Sequence, residues 1–302
     1  MIRVGPAGWS YPDWEGRVYP RHKPRGFHAL HFLAPFVDCI EINSSFYALP
    51  RAQHSSRWAQ HVAGQPEFRF VAKLLQDFTH GSPAPESADG REQGDWESKA
   101  ADWRAGVEPL VRRRLLAAVL VQFPITFHNG PQQVQRLGRI RGLLEDLPLV
   151  LEVRHDSWFT PPALAEIAGL GFSLAHLDLP AAWNHPPTRH RPTGPIGYLR
   201  LHGRNEDEWF RRAAGRDQRY DYLYSPPEVG ELAQRARSIA SETDATYVIT
   251  NNHFEGQSLA NALELRWLLN DRQPVPAPAE LVATYPHLEA LTVVREDPGL
   301  FD

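Results

Sequence analysis

The chain has 302 residues, enough to bury a large core in one barrel or in two smaller domains. Its formal net charge of −4 excludes the global basic field of a non-specific nucleic-acid binder but leaves room for a local basic patch. Cys39 is the only cysteine, which excludes an intrachain disulfide and a cysteine zinc cluster. Because no apolar run approaches the roughly 20 residues that span a bilayer, and no secretion-signal pattern opens the chain, we expect a soluble, cytoplasmic protein.

Segments with strand character alternate with helical segments along the chain. The first strand is predicted at residues 2–7 and the second around Glu41. Further strands are predicted at 68–73, 117–123, 149–154, 172–178, 196–202 and 246–251. Helices are predicted at 27–36, 51–62, 97–114, 132–144, 161–170, 227–242 and 258–269.

Eight strands that alternate with helices predict a parallel sheet with crossover helices. At this length the natural solution is a single (β/α)8 TIM barrel over residues 1–302, with long loops at about 75–95, 179–195 and 203–225. An open doubly wound sheet is the alternative, but the first strand is not followed by a glycine-rich dinucleotide turn. The proline-rich tail from Gln273 is expected to pack over the bottom or side of the barrel.

Polar residues recur at alternate positions near the ends of these otherwise apolar strands. Glu41, Asn43 and Ser45 follow each other at every second residue, which predicts that they share one face. Similar positions on the later strands carry Lys73, Gln122, Glu152, Arg154, His176, Asp178, Arg200, His202 and Asn251. Since active sites of TIM barrels lie at the carboxyl ends of the strands, the pattern predicts a polar pocket there.

The charged residues among them suggest roles in acid–base chemistry and anion binding. The candidate catalytic residues are Glu41, Lys73, Glu152 and Asp178. Lys73, Arg154, Arg200 and Arg204 could bind a phosphate or carboxylate group, although the same charges could simply pair with one another. Lys73 is one of only three lysines in an arginine-rich chain, which suggests a role for its amine as a base or in a Schiff base.

Aromatic and amide side chains complete the predicted pocket. Trp9, Tyr11, Phe46 and Tyr47 lie in loops at its rim, where they could stack on a base or sugar, exclude water, or pack as ordinary loop residues. The remaining candidate substrate-binding residues are Asn43, Gln122, His202 and Asn251.

Metal binding is an alternative for part of this set. His176, Asp178 and His202 are candidate ligands for zinc or manganese, with Glu152 as a further oxygen donor. The sequence has no compact metal signature and no nucleotide-cofactor motif, so it assigns no cofactor.

A series of short motifs is similar to one known family. They are GWSY at 8–11, EINSSFY at 41–47, FVAK at 70–73, QFP at 122–124, EVRH at 152–155, LRLHG at 199–203 and YLYS at 222–225. Together they resemble the YecE-like family, the domain of unknown function 72, over residues 3–269. The resemblance implies a single TIM-barrel domain and supplies no established activity.

Two main hypotheses of function follow. The first is an enzyme that acts on a phosphate-bearing or otherwise anionic small molecule, such as a nucleotide or sugar phosphate, at the carboxyl mouth of the barrel. The second is a non-catalytic protein that binds single-stranded or damaged nucleic acid through the same cations and aromatic rings. A metal-dependent hydrolase or nuclease is a further alternative. No membrane partner is expected.

Overall fold

The computed structural model describes residues 1–80, 91–209, 211 and 215–295. The strands are β1 (Ile2–Pro6), β2 (Cys39–Ile42), β3 (Arg69–Lys73), β4 (Leu116–Gln122), β5 (Leu149–Glu152), β6 (Phe172–Leu174), β7 (His176–Asp178), β8 (Ile196–Leu201), β9 (Ala245–Thr250), β10 (Val275–Pro278) and β11 (Thr292–Arg295). The helices are α1 (Ala29–Leu33), α2 (Ser44–Tyr47), α3 (Ala52–His61), α4 (Arg91–Arg112), α5 (Pro131–Leu143), α6 (Pro161–Gly169), α7 (Glu206–Trp209), α8 (Arg216–Arg219), α9 (Pro226–Ala240), α10 (Gln257–Leu269) and α11 (Ala279–Thr284).

Two parallel sheets form the centre of this α/β fold. One has the strand order β2-β3-β4-β5-β6, and the other has the order β1-β9-β8-β7. The pairs within both sheets are parallel, with for example Gln122 opposite Glu152 and Arg200 opposite Ile249. The predicted α/β class with parallel strands is therefore confirmed.

The predicted sixth strand, 172–178, is divided between the two sheets. Its first half, β6, pairs with β5, whereas its second half, β7, pairs with β8. Ala175 separates the halves, and its amide still donates to the carbonyl of Leu151 at 2.9 Å. The segment thus changes its partner at Ala175, which a pattern of apolar residues alone does not reveal.

Side chains from one face of both sheets meet in a single buried cluster. It includes Cys39, Val71 and Leu120 from the first sheet and Tyr198 and Ile249 from the second. The opposite face packs against helices, for which Ile40, Ile42 and Val121 are examples. Burial on both faces explains why the strands are nearly continuous apolar runs interrupted only at particular positions.

The helices begin where the sequence supplies the appropriate residues. Ser225 precedes α9 and forms a capping box with Glu228, whose carboxylate accepts from the Ser225 amide at 2.8 Å. Thr160 caps α6, which continues with two prolines at its start. These caps fix where the crossover helices start, and with them the lengths of the loops after the strands.

The regions predicted as loops have varied structure. Residues 76–78 form a 3-10 turn, α4 begins already at Arg91, and residues 81–90 lie outside the described part of the chain. Residues 179–195 contain no helix or strand, whereas 203–225 include α7 and α8.

The tail adds β10, α11 and β11, and its residues Val275, Leu281 and Leu288 pack into the larger core. Across the described residues, every helix is too short or too polar to cross a membrane.

Candidate active site

A cavity of about 400 Å³ opens near the carboxyl ends of several strands of both sheets. Its walls are formed by Gly8, Trp9, Ser10, Tyr11, Asn43, Ser44, Phe46, Tyr47, Lys73, His80, Gln122, Arg154, Arg200, Tyr220, Asn251 and His253. The structure therefore brings together ten of the residues that the sequence suggested, and the volume is within the range of small-molecule sites.

A buried ion network lies beneath the cavity and is centred on Arg200. The Arg200 guanidinium donates to Glu41 through Nη2 at 2.7 Å and through Nε at 3.0 Å. Its Nη1 donates to Glu152 at 3.0 Å, and Tyr198 donates its hydroxyl to Glu41 at 2.7 Å. Glu41 and Glu152 have no exposed surface, so Arg200 holds two carboxylates that would be costly to bury alone.

Arg154 joins this network from the cavity side. It donates to Oε1 of Glu152 through Nε at 2.9 Å and through Nη2 at 2.8 Å. Burial alone would raise the pKa of Glu152, but Arg200 and Arg154 outweigh burial and hold that pKa far below its usual range. In the part of the chain described, the Nη1 group of Arg154 has no hydrogen-bond partner, and Arg154 lines the cavity.

Lys73 ends β3 and extends into the cavity from a different side. Its backbone carbonyl accepts a hydrogen bond from the Ser45 hydroxyl at 2.7 Å, and its ammonium nitrogen lies 4.2 Å from the centre of the Phe46 ring. Burial lowers the pKa of Lys73 to about 7; Arg200 and Arg154 also lower this pKa, and Glu41 and Glu152 oppose them. This shift allows Lys73 to lose its proton at a much lower pH than an exposed lysine does.

His202 and Asn251 connect the network to β8 and β9. The Asn251 amide contacts Nδ1 of His202 at 3.2 Å, and its Oδ1 accepts from Arg200 at 3.3 Å. Burial, followed by Arg200 and Arg154, lowers the pKa of His202 well below its ordinary value, so the imidazole is neutral. His202 supports Glu152 and Arg200 from beneath the cavity, whereas Asn251 itself reaches the cavity wall.

Aromatic rings form two sides of the cavity. On one side, Tyr11 stacks on His253 at 4.6 Å between ring centres, and Tyr220 lies 5.2 Å from the same imidazole. On the other side, Phe46 contacts His80 and Tyr47, each at 5.0 Å between ring centres. Rings on opposite walls can bury the body of a small ligand and limit its access to water.

The predicted alternation of Glu41, Asn43 and Ser45 ends before Ser45. The strand stops at Ile42 and the chain enters the helical turn α2, so the two-residue period of a strand no longer applies. Asn43 reaches the cavity wall, but the Ser45 hydroxyl is buried and bonds to the carbonyls of Ile42 and Lys73. The prediction that all three share one face is wrong for Ser45.

Asp178 and Arg204 form a separate ion cluster outside the lining of this cavity. Arg204 donates to Asp178 through Nε at 2.9 Å and Nη2 at 2.8 Å, and the Tyr224 hydroxyl donates to Asp178 at 2.8 Å. Arg235, from α9, approaches the same carboxylate at 3.5 Å. Asp178 and Arg204 therefore lie outside the group of candidate residues that line the cavity.

The three candidate metal ligands have different partners. His176 stacks on His190 with 3.8 Å between ring centres, Asp178 pairs with Arg204, and His202 lies beneath the cavity. Within the described residues, no group of three or more His, Cys, Asp or Glu side chains is arranged to hold a metal ion.

The sequence analysis did not select several residues of the wall. His80, Tyr220 and His253 come from loops, and Gly8, Ser10 and Ser44 present small or polar groups. His253 follows a polar strand end and could have been found by the same pattern. The positions of His80 and Tyr220 depend on the paths of long loops, for which strand periodicity carries no signal.

Known proteins resemble this chain over most of its length. The family model described as "Protein of unknown function DUF72" matches residues 3–283. The UPF0759 protein YunF of Bacillus subtilis (strain 168) is 27% identical over 298 residues, which cover 93% of this chain and 99% of that protein. The crystal structure of a DUF72 family protein from Thermotoga maritima MSB8 has a TM-score of 0.74 and 30% identity, covering 89% of this chain and 99% of that one. A DUF72 family protein from Enterococcus faecalis V583 has a TM-score of 0.75 and 28% identity, covering 89% and 96%.

Proposed function

This chain belongs to the DUF72 family of proteins of unknown function, and we propose that it is an enzyme acting on a small anionic substrate, phosphate-bearing or carboxylate-bearing, in the cavity. The observation that best supports this proposal is the set of basic residues at the cavity wall. Lys73, Arg154 and Arg200 line it, whereas none of the residues that form the described wall is acidic. The two carboxylates of the network are buried beneath and already bonded to arginines.

Arg154 is the group that would bind the anion of the substrate. Nε and Nη2 of Arg154 both donate to Glu152, and these two bonds fix the orientation of the guanidinium. Nη1 makes neither of these bonds and is the nitrogen that would bind the substrate. Arg200 contributes less to ligand binding, because Glu41 and Glu152 occupy its donors. The amides of Asn43 and Gln122 supply further polar contacts at the wall.

Lys73 is the proposed acid–base group of this enzyme. Its pKa of about 7 lets the amine accept or give up a proton at neutral pH, as a general base or acid must. The rings of Phe46 and His80 lie beside this amine, where they can limit the access of water once a ligand is bound. Glu41 and Glu152 act in this proposal as structural partners of Arg200.

We also propose that the two sheets close into one eight-stranded (β/α)8 barrel, in which β6 and β7 together form the sixth strand. The Gly8 amide donates to Glu41 O at 2.9 Å, and the Asp38 amide donates to Val4 O at 2.9 Å, which joins β1 to β2. Ala7 and Glu41 form a parallel bridge at the same junction. At the other junction, Ala175 alone separates β6 from β7. The cavity would then lie at the carboxyl mouth of the barrel.

Calorimetric titration with inorganic phosphate and glycerol phosphate tests the anion site. We expect both to bind wild-type protein, and R154M to weaken binding about 10-fold or more, since a hydrogen bond to a charged group contributes about 1.5–3 kcal/mol. R112M is the matched control, because Arg112 pairs with Glu108 on an exposed helix face. Absence of binding to the wild type, or equal affinity in R154M and R112M, would contradict the proposal.

A further inference from the structure

Lys73 differs from the other two lysines in its surroundings. Lys23 pairs with Glu15, and Lys99 pairs with both Asp77 and Asp95 at 2.8 Å. For Lys73, the described residues offer no carboxylate within salt-bridge distance and no hydrogen-bond acceptor for its amine. Its one identified partner is the face of the Phe46 ring, so its nitrogen is free to react with a ligand in the cavity.

The carboxylates that could pair with Lys73 are occupied by other donors. Glu41 accepts from Arg200 twice and from Tyr198, and Glu152 accepts from Arg200 and twice from Arg154. These arrangements fix both acids in place, and the two arginines balance their charges. The network therefore brings no uncompensated negative charge to Lys73 that would hold it as an ammonium ion.

The position of the Lys73 backbone is also fixed. Its carbonyl accepts from the Ser45 hydroxyl, and the next amide, of Leu74, donates to the carbonyl of Leu120 at 2.9 Å. A lysine that is anchored at its backbone, desolvated, and adjacent to other cationic groups is suited to covalent chemistry with carbonyl compounds. Its amine is a strong nucleophile only when uncharged, which a pKa of about 7 permits.

We propose that Lys73 is a nucleophile that forms an imine with an aldehyde or ketone bearing a phosphate or carboxylate group. This inference rests on the proposed function, because it places the anionic end of the same substrate on Arg154. The uncharged Nζ adds to the carbonyl carbon, and one of its two protons is transferred to the carbonyl oxygen, which gives a neutral carbinolamine. The second proton of the nitrogen is then transferred to the hydroxyl, which leaves as water while the carbon–nitrogen double bond forms.

His80 is a cavity group whose position suits these proton transfers. His80 contacts the same Phe46 ring as Lys73, and burial, followed by Lys73 itself, lowers the pKa of this imidazole. A neutral imidazole can exchange a proton with the carbinolamine oxygen. The other charged groups that act on Lys73 are Arg200, Glu41, Glu152 and Arg154, which the network holds in fixed positions.

Pyridoxal phosphate is a suitable probe, because it carries an aldehyde, a phosphate and an aromatic ring. We expect one equivalent to be fixed when borohydride is added, and peptide mass spectrometry to place it on Lys73. The rate of adduct formation is expected to rise as the pH increases through about 7, since deprotonation of Lys73 supplies the nucleophile.

The variants K73R and K99R provide a matched comparison. K73R keeps a cation but removes the amine, so the adduct should be lost, whereas K99R changes a lysine that is paired with Asp77 and should label like wild type. No reducible adduct on wild-type protein, or labelling spread over Lys23 and Lys99, would overturn the inference. If the wild type binds phosphate more tightly than R154M does, but no adduct forms on Lys73, the imine is excluded and the proposed anion site is still supported.

Discussion

At the scale of single residues, the chemistry depends on which charges are paired. The sequence correctly indicated that Glu152, Arg154 and Arg200 lie together, because alternate residues of a strand share a side and parallel strands end at the same edge. It could not indicate that Glu41, Glu152 and Asn251 all accept hydrogen bonds from Arg200, since that depends on distances across two sheets. Among the residues that the structure describes, none accepts a hydrogen bond from Nη1 of Arg154, and Arg154 is therefore the better anion-binding candidate.

Replacing Arg200 should primarily destabilise the protein. In R200M, Glu41 would keep only the hydrogen bond from Tyr198, and Glu152 would keep only those from Arg154. Negative charge on the buried carboxylates would then be uncompensated. We expect the free energy of unfolding, measured by urea denaturation, to fall by about 3–5 kcal/mol. R112M should change it by less than about 1 kcal/mol, as its ion pair is exposed. Equal stability of the two variants would contradict the proposed importance of the network.

At the scale of secondary-structure elements, apolar periodicity located the strands and most helices. Apolar periodicity failed where a strand gives way to a helical turn and where one segment pairs with two different neighbouring strands. Ser45 left the predicted face because α2 begins at Ser44, and the segment 172–178 divides at Ala175 between two sheets. Such events are decided by tertiary packing, which can override local propensity.

The junction of β1 and β2 contains a sensitive glycine. A Cβ atom at Gly5 would lie 1.7 Å from the carbonyl oxygen of Cys39, which is a backbone atom of β2 and cannot move aside like a side chain. We expect G5A to lower the free energy of unfolding by about 3 kcal/mol or more, because overpacking against backbone forces the strands apart. Urea denaturation measures this change.

G142A is the control for this prediction. Gly142 lies in α5, and a Cβ atom there meets no atom within 4 Å, so alanine should leave stability unchanged or raise it by about 1 kcal/mol. If G5A were tolerated as well as G142A, β1 and β2 would not approach each other closely. That result would contradict the proposed closure of the barrel.

At the scale of the whole molecule, charge is unevenly distributed. The chain carries a formal net charge of −4, yet the described cavity wall carries basic residues and lacks acidic ones. Composition predicts that the chain has no global basic field, but composition cannot reveal the local concentration of basic residues at the cavity wall. This concentration depends on the fold, which brings Lys73 and Arg154 to the wall from separate strand ends and buries Glu41 and Glu152 beneath them.

The central claim is that Lys73 is available as an uncharged amine at neutral pH inside the cavity. An NMR pH titration of protein with carbon-13-labelled lysines tests this claim directly, because the chain has only three lysines. The signal that is missing from the spectrum of K73R belongs to Lys73. The account predicts that this signal titrates at about pH 7, whereas an ordinary lysine titrates at about 10.4. A Lys73 signal that titrates near 10 would contradict both its acid–base role and its imine chemistry.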